Sequence, residues 1–402
     1  MSILPAAVLA SALLGQVVGQ VAPAPAPAPP AATRPDAGQG ATNARGISSW
    51  SDLDPAKVGP VRPLLVGRPE LRLPPTKHLA FDRAAVGDPG AIVALSGTPH
   101  LAFLAFHAGR IELRTLRRTD GQLSPVITTL ALREPPVAFR EAPDGKTVIV
   151  RAEIDTPIVL VDAERGTVRA EIDPASAGPG DVYALDDTSI AVITQAGIVR
   201  RFAVADGASL GLVQLPPCHP IAVGRGVIVA TTHMDPPNAP GVTAPRRMSL
   251  ASFDASTGKE IARTELPAGP TAWTSRGTRI AVGEVEGGWT ALRLLDMRTL
   301  QEISKVPLAP VVHSMGLELS PDGTRLWMQE YVTQPVIGWD TATGTAAAVV
   351  GPELGGYLRM DVSDDGRVLA GIVGPWVKGA IVPDAFEWTE LAPPTPPAAP
   401  AK

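Results

Sequence analysis

The chain has one cysteine, Cys218, so no internal disulfide can form. Such a chain is either cytosolic or an exported one that relies on a large core. Cys218 reads as a small buried apolar residue. Charge of one sign is also lacking. The net charge is −5, and the basic pairs Arg117–Arg118, Arg200–Arg201 and Arg246–Arg247 are far apart in sequence. That pattern gives no phosphate-tracking surface, so nucleic acid is not an expected partner. Aromatic residues are few, at 7 Trp, 3 Tyr and 7 Phe. No segment keeps a 3.6-residue apolar period with caps at both ends, which predicts few helices.

The familiar signatures of chemistry are missing as well. The six histidines, His78, His100, His107, His219, His233 and His313, have no partners at zinc-site spacing. There is no nucleophile elbow, phosphate-binding glycine loop or Asp-rich calcium loop. The acidic pairs Asp186–Asp187 and Asp364–Asp365 fall at expected strand turns and read as turn residues. The sequence therefore assigns no catalytic residue, no metal ligand and no cofactor site.

Gly and Pro are abundant, at 39 and 43 residues, which suits many tight turns. Residues 3–18 are mostly apolar and uncharged, followed by small residues. This is short for a membrane span, which needs roughly 20 residues, and reads as a secretory signal ending near residue 24. Residues 25–48 are rich in Pro, Ala and Gly and read as an extended, disordered spacer. Residues 49–90 hold Pro60, Pro63, Pro69, Pro74 and Pro75, which forbid a long helix. Two short stretches there, 71–73 and 79–81, are candidates to add a strand to the last sheet of the domain. Residues 392–402 return to Pro and Ala and read as a disordered tail. The expected location is secreted, periplasmic or in the cell envelope, as a monomer with no membrane span after processing.

Between 91 and 391 the chain repeats one plan, clearest in 317–350. Four short apolar runs are separated by turns, with a Pro-Asp-Gly turn after the first and an Asp-x-x-x-Gly turn after the third. Units run over 91–130, 137–172, 181–215, 220–266, 271–307, from 315, and 358–391. The mean period is about 43 residues, that of a four-stranded propeller blade. In the third–fourth turns a leading Asp recurs at Asp162, Asp254, Asp296, Asp340 and Asp384. Its carboxylate can accept from the following amides, and the closing Gly supplies a positive φ. The third unit departs from this with Ala205-Asp206-Gly207. Second strands such as 148–150, 190–193 and 368–373 are almost wholly apolar, as expected for strands covered on both faces.

The chain resembles the WD-repeat and YVTN-type β-propeller proteins. The residues that carry this are Ser320-Pro321-Asp322-Gly323, Ala142-Pro143-Asp144-Gly145, Ser363-Asp364-Asp365-Gly366 and the pair Trp339–Asp340. Tyr331-Val332-Thr333-Gln334 comes within one residue of Tyr-Val-Thr-Asn. The expected fold is all-β: a seven-bladed propeller of four-stranded antiparallel blades with disordered flanks.

The resemblance implies sites built from loops over the axis. The loops between second and third strands offer His107, Arg110, Asp155, His233, Asp235, Arg246, Glu286, Glu330, Tyr331, Trp376 and Lys378. These are the candidate contacts for a protein or small-molecule ligand. The favoured expectation is a non-catalytic binding scaffold. A lactonase-like hydrolase at the axial mouth and a structural envelope protein are the alternatives.

Overall fold

The computed structural model describes residues 72–73, 77–130, 138–234, 247–267, 271–273, 277–285, 289–311, 316–329, 336–351, 356–377 and 380–391. They form seven sheets of four or five strands, plus a small hairpin of Trp376–Val377 with Ala380–Ile381. The first strands of blades 1 to 7 are Asp88–Ala94, Ala138–Glu141, Asp181–Asp186, His219–Gly224, Thr271–Trp273, Gly316–Leu319 and Gly356–Val362. Each of these inner strands touches the inner strands of both neighbouring blades, and that of blade 7 touches that of blade 1. The ring is therefore closed around an axis lined by first strands.

The apolar second strands sit where their sequence requires. Thr147–Arg151, Ser189–Ile193 and Val368–Gly374 are buried at every residue. A sheet set radially has both faces covered by its neighbours, so alternation disappears in the middle of the blade. The core is accordingly a chain of clusters between blades. Val93, Leu95 and Leu104 of blade 1 pack with Phe139, Val148 and Val150 of blade 2. Phe103 of blade 1 packs with Phe386 and Trp388 of blade 7, which completes the circle.

The turns lie at two ends. Antiparallel order puts first–second and third–fourth turns at one end, here the turn face. Second–third turns and the connections between blades lie at the other, here the loop face. On the turn face one hydrogen bond recurs in all seven blades. The amide just after the third strand donates to a carbonyl of the first–second turn at 2.7–3.0 Å. The pairs are Arg118 to Pro99, Ala163 to Lys146, Val204 to Thr188, Ala255 to Gly226, Met297 to Thr278, Thr341 to Thr324 and Leu391 to Arg367.

The leading aspartates act through their side chains. Oδ1 of Asp254 accepts from Ser256 N and Thr257 N at 3.0 Å, and Asp340 accepts from Ala342 N and Thr343 N at 2.9 and 2.8 Å. Gly258 and Gly344 close these turns at φ 72° and 67°. Blade 3 keeps the same backbone turn without the Asp: Gly207 N donates to Ala203 O at 2.9 Å, as Gly258 N does to Asp254 O at 2.8 Å. In blade 5 the closing position is Leu300, at φ 54°.

Blade 7 differs from the regular spacing. Asp384 does not open a third–fourth turn. It precedes the third strand, Ala385–Glu390, and its carbonyl accepts from Phe81 N at 3.0 Å. The fourth strand is Lys77–Ala80, antiparallel to Ala385–Glu390, with Leu79 opposite Phe386. The stretch 79–81 is one of the two expected to add a strand to the last sheet, and its partner strand comes from more than 300 residues away. Arg72–Leu73 adds a second strand elsewhere, parallel to Ala346–Val350 on the edge of blade 6. Two single-turn helices, Arg83–Val86 and Pro174–Ala177, lie in connections between blades and are capped by Asp82 and Asp173.

Candidate binding surfaces

His107, Arg110 and Asp155 fall on the loop face, by the topology of second–third connections. His107 and Arg110 flank a two-residue turn in blade 1, with Ala108 and Gly109 at φ 50° and 80°. Those values are what a tight hairpin with right-handed strand twist needs. The His107 ring hydrogen-bonds Glu112 Oε1 through Nδ1 at 3.3 Å, and Arg114 Nη2 donates to Glu112 Oε2 at 2.7 Å. Burial alone would push the Glu112 carboxyl up. The bonds from Arg114 and His107 outweigh it and hold the carboxyl below its ordinary range.

Asp155 is exposed on the neighbouring loop of blade 2. That loop is fixed from beneath by Arg151, which is fully buried. Arg151 donates to the carbonyls of Glu153, Gly180 and Gly178 at 3.2, 2.9 and 2.7 Å, and also to that of Ile154. A guanidinium is suited to this task because its donors spread in a plane. The loop of blade 2 is thereby tied to the connection that enters blade 3.

His233 lies in the second strand of blade 4, paired with Ser249, and Trp376 pairs with Ile381 in the small hairpin. Asp235, Arg246, Glu286, Glu330, Tyr331 and Lys378 lie outside the described residues. The structure thus places His107 and Arg110 in one hairpin and Asp155 on the adjacent blade. Sequence reasoning missed two exposed apolar residues on the same two blades. Phe106, 51% exposed, is near the loop-face end of the second strand of blade 1, and Ile154, 50% exposed, is in the second–third connection of blade 2. Most of His100–His107 is buried. Its last residues project past the ring.

A second set of charged residues occupies the inner strands near the turn face. Glu141 of blade 2 accepts from Ser96 N and Ser96 Oγ of blade 1 at 2.7 and 2.5 Å, and from Asp364 N of blade 7 at 2.8 Å. Asp361 of blade 7 accepts from Ala94 N of blade 1 at 2.8 Å. Glu318 of blade 6 is 4% exposed and Arg140 of blade 2 is 7% exposed. Burial raises the carboxyls of Glu318 and Asp361 above their ordinary range. The Arg140 guanidinium stands over the Tyr183 ring, 5.1 Å from its centroid. Among the described residues, no three His, Cys, Asp or Glu side chains converge as a metal ion would need. Cys218 is buried, and that burial pushes its thiol up to about 11, so it is not a reactive thiolate.

No family model matches this chain, and no curated protein does. Solved structures do. A chain in the structure described as the crystal structure of the mitotic checkpoint complex matches with a TM-score of 0.51 at 13% identity. The match covers 79% of this chain and 94% of that one. The fold is that of a seven-bladed β-propeller. At this level of identity the likeness is one of architecture, and the site residues stand on their own geometry.

Proposed function

We propose that this protein is an exported, non-catalytic propeller that binds a protein partner on its loop face, over blades 1 and 2. The observation that carries this is Phe106 and Ile154, two large apolar side chains about half exposed at the loop-face end of adjacent blades. They are rimmed by His107, Arg110 and Asp155. An apolar centre with a charged rim is the anatomy of a protein interface. The opposite face is occupied by recurring turn hydrogen bonds, which serve the ring itself. The structurally similar chain belongs to a solved complex, which supports a protein partner over a small metabolite. Export rests on the apolar stretch 3–18 and the Pro-Ala spacer that follows it.

The test is capture from an envelope extract with the purified domain. Wild type should retain one or more specific proteins, and the Phe106→Ser, Ile154→Ser double variant should lose them. An Asp254→Ala variant on the turn face should keep them. Equal capture by wild type and the double variant would remove the proposal.

A further inference from the structure

The fourth strands repeat a small irregularity. In blades 2 to 6 one extra residue interrupts the ladder just after the third–fourth turn: Arg169, Leu210, Ile261, Ile303 and Ala347. Blade 1 departs from this. Leu116 faces Leu123 and Leu113 faces Thr128, so a step of three residues in the third strand is met by a step of five in the fourth. Ser124 N and Ile127 N still donate to Thr115 O and Leu113 O at 2.8 and 2.9 Å, so the excursion is at Pro125–Val126. Proline has no amide proton and is suited to such a break. Thr115 N donates to Ser124 Oγ at 2.8 Å, so a hydroxyl takes the place of a ladder carbonyl. A double bulge held by its own side chain is a built feature, not a frayed edge.

Between this bulge and the third–fourth turn of blade 2 lies a cavity of about 310 Å³, at the turn face. That is at the small end for ligand sites, which run from about 300 to 1,000 Å³. Leu123, Pro125, Val126 and Ile127 give it an apolar wall on the blade 1 side. His100 also lines it, and His100 Nδ1 is buried without a hydrogen-bond partner. Burial, and then the charge of Arg117, hold the imidazole below its ordinary range, so the ring is neutral at pH 7. Of the cations at the cavity, Arg117 is bound to Asp120 and Gln122. Arg165, from the blade 2 turn, makes no side-chain hydrogen bond or ion pair among the described residues. Glu164 beside it lies 4.0 Å from Lys146. The unmet charge at the cavity is therefore positive, and it comes from the blade opposite the apolar wall.

We propose that this cavity binds a small aliphatic carboxylate, its chain against the bulge of blade 1 and its carboxylate on Arg165 of blade 2. A guanidinium suits that group because its N–H donors match both carboxylate oxygens. The neutral His100 ring adds one hydrogen bond. A free organic acid and the C-terminal apolar residue of a peptide share this chemistry. An ammonium ligand is disfavoured, because Arg117 and Arg165 both stand at the site. The cavity is on the face opposite the protein interface proposed above, so the two readings stand or fall separately.

Titration calorimetry on the full chain tests this with hexanoate, hexanamide, hexylamine and N-acetyl-alanyl-leucine. Hexanoate should bind with a Kd of about 1 mM or below, hexanamide about tenfold more weakly, and hexylamine not at all. Tighter binding of the acetylated dipeptide than of hexanoate would assign the site to peptide C-termini. The reverse would assign it to free organic acids. In NMR spectra the ring resonances of His100 should move when hexanoate binds, and those of the exposed His219 should not. Arg165→Met, at an exposed position, should weaken hexanoate about tenfold and leave hexanamide unchanged. Val126→Glu, which sets a like charge in the wall, should abolish hexanoate binding. Equal binding of hexanoate and either neutral or cationic analogue would overturn the proposal. So would hexanoate binding that leaves His100 unmoved, or no binding of either carboxylate to the folded wild type. If Val126→Glu fails to fold, Arg165→Met and the His100 shift decide.

Discussion

The closing strand gives the sharpest prediction about the fold. Lys77–Ala80 supplies the fourth strand of blade 7, and Leu79 and Phe81 pack against the cluster shared by blades 7 and 1. Phe81 also meets Phe386 with ring centroids 4.8 Å apart at 39°. Consider Leu79→Ala with Phe81→Ala. Fully buried, the two truncations would cost about 2–5 and 3–5 kcal/mol. Both side chains are only partly buried, so about half is the better figure, roughly 3–4 kcal/mol in all. At about 2 °C per kcal/mol for a chain of this size, the melting temperature should fall by roughly 6–8 °C. The assay is thermal unfolding followed by circular dichroism. Leu212→Ala serves as the control, since Leu212 is 59% exposed on the outer strand of blade 3. It should stay within about 0.5 kcal/mol of wild type. A double variant that melts within about 1 °C of wild type would refute the claim that this strand holds the ring shut.

Three further predictions concern single positions. Leu300→Gly sets relief of a positive φ, about 1–2 kcal/mol, against loss of a side chain that is 4% exposed, about 2–5 kcal/mol. A net loss of stability in urea is expected, and stabilisation would show that the strain dominates. Asp254→Ala removes an acceptor for the Ser256 and Thr257 amides and should cost about 1–2 kcal/mol. The Ser256 hydroxyl bond holds the Asp254 carboxyl below its ordinary range. Its stabilisation is therefore present above the unfolded value of 3.8 and fades as pH falls through the folded one. Glu318 has the opposite sign. Burial raises its carboxyl above 4.5, so its contribution is intact below that value and is lost as pH rises through the folded one. Glu318→Gln should raise the melting temperature at pH 8 and not at pH 4, and no pH dependence of the difference would contradict this.

The parts of the fold visible in the sequence are those governed by local chemistry. The turns at Asp254–Gly258 and Asp340–Gly344 follow from a carboxylate that caps its own loop and a glycine at positive φ. The buried second strands follow from their unbroken apolar runs. What was not legible depends on distant partners. Asp384 keeps the 44-residue step from Asp340, yet it opens a third strand because the fourth arrives from Lys77–Ala80. Leu300 adopts a glycine conformation because the packing around it fixes that turn. Arg140, Glu141, Glu318 and Asp361 are single charges within short first strands, and only closure of the ring brings those strands together. A charged residue inside a first strand was the available signal. Phe106 carries no signal of its own in the sequence, since an apolar run does not show where a strand leaves the core.

The functional claim is that a partner sits on the loop face over blades 1 and 2. A photo-crosslinking residue placed at Phe106, with the same residue at Ser256 on the turn face as comparison, tests it most directly in the intact envelope. The account predicts a discrete protein adduct from position 106 and none from 256. Adducts from 256 alone, or the same adduct from both, would contradict it.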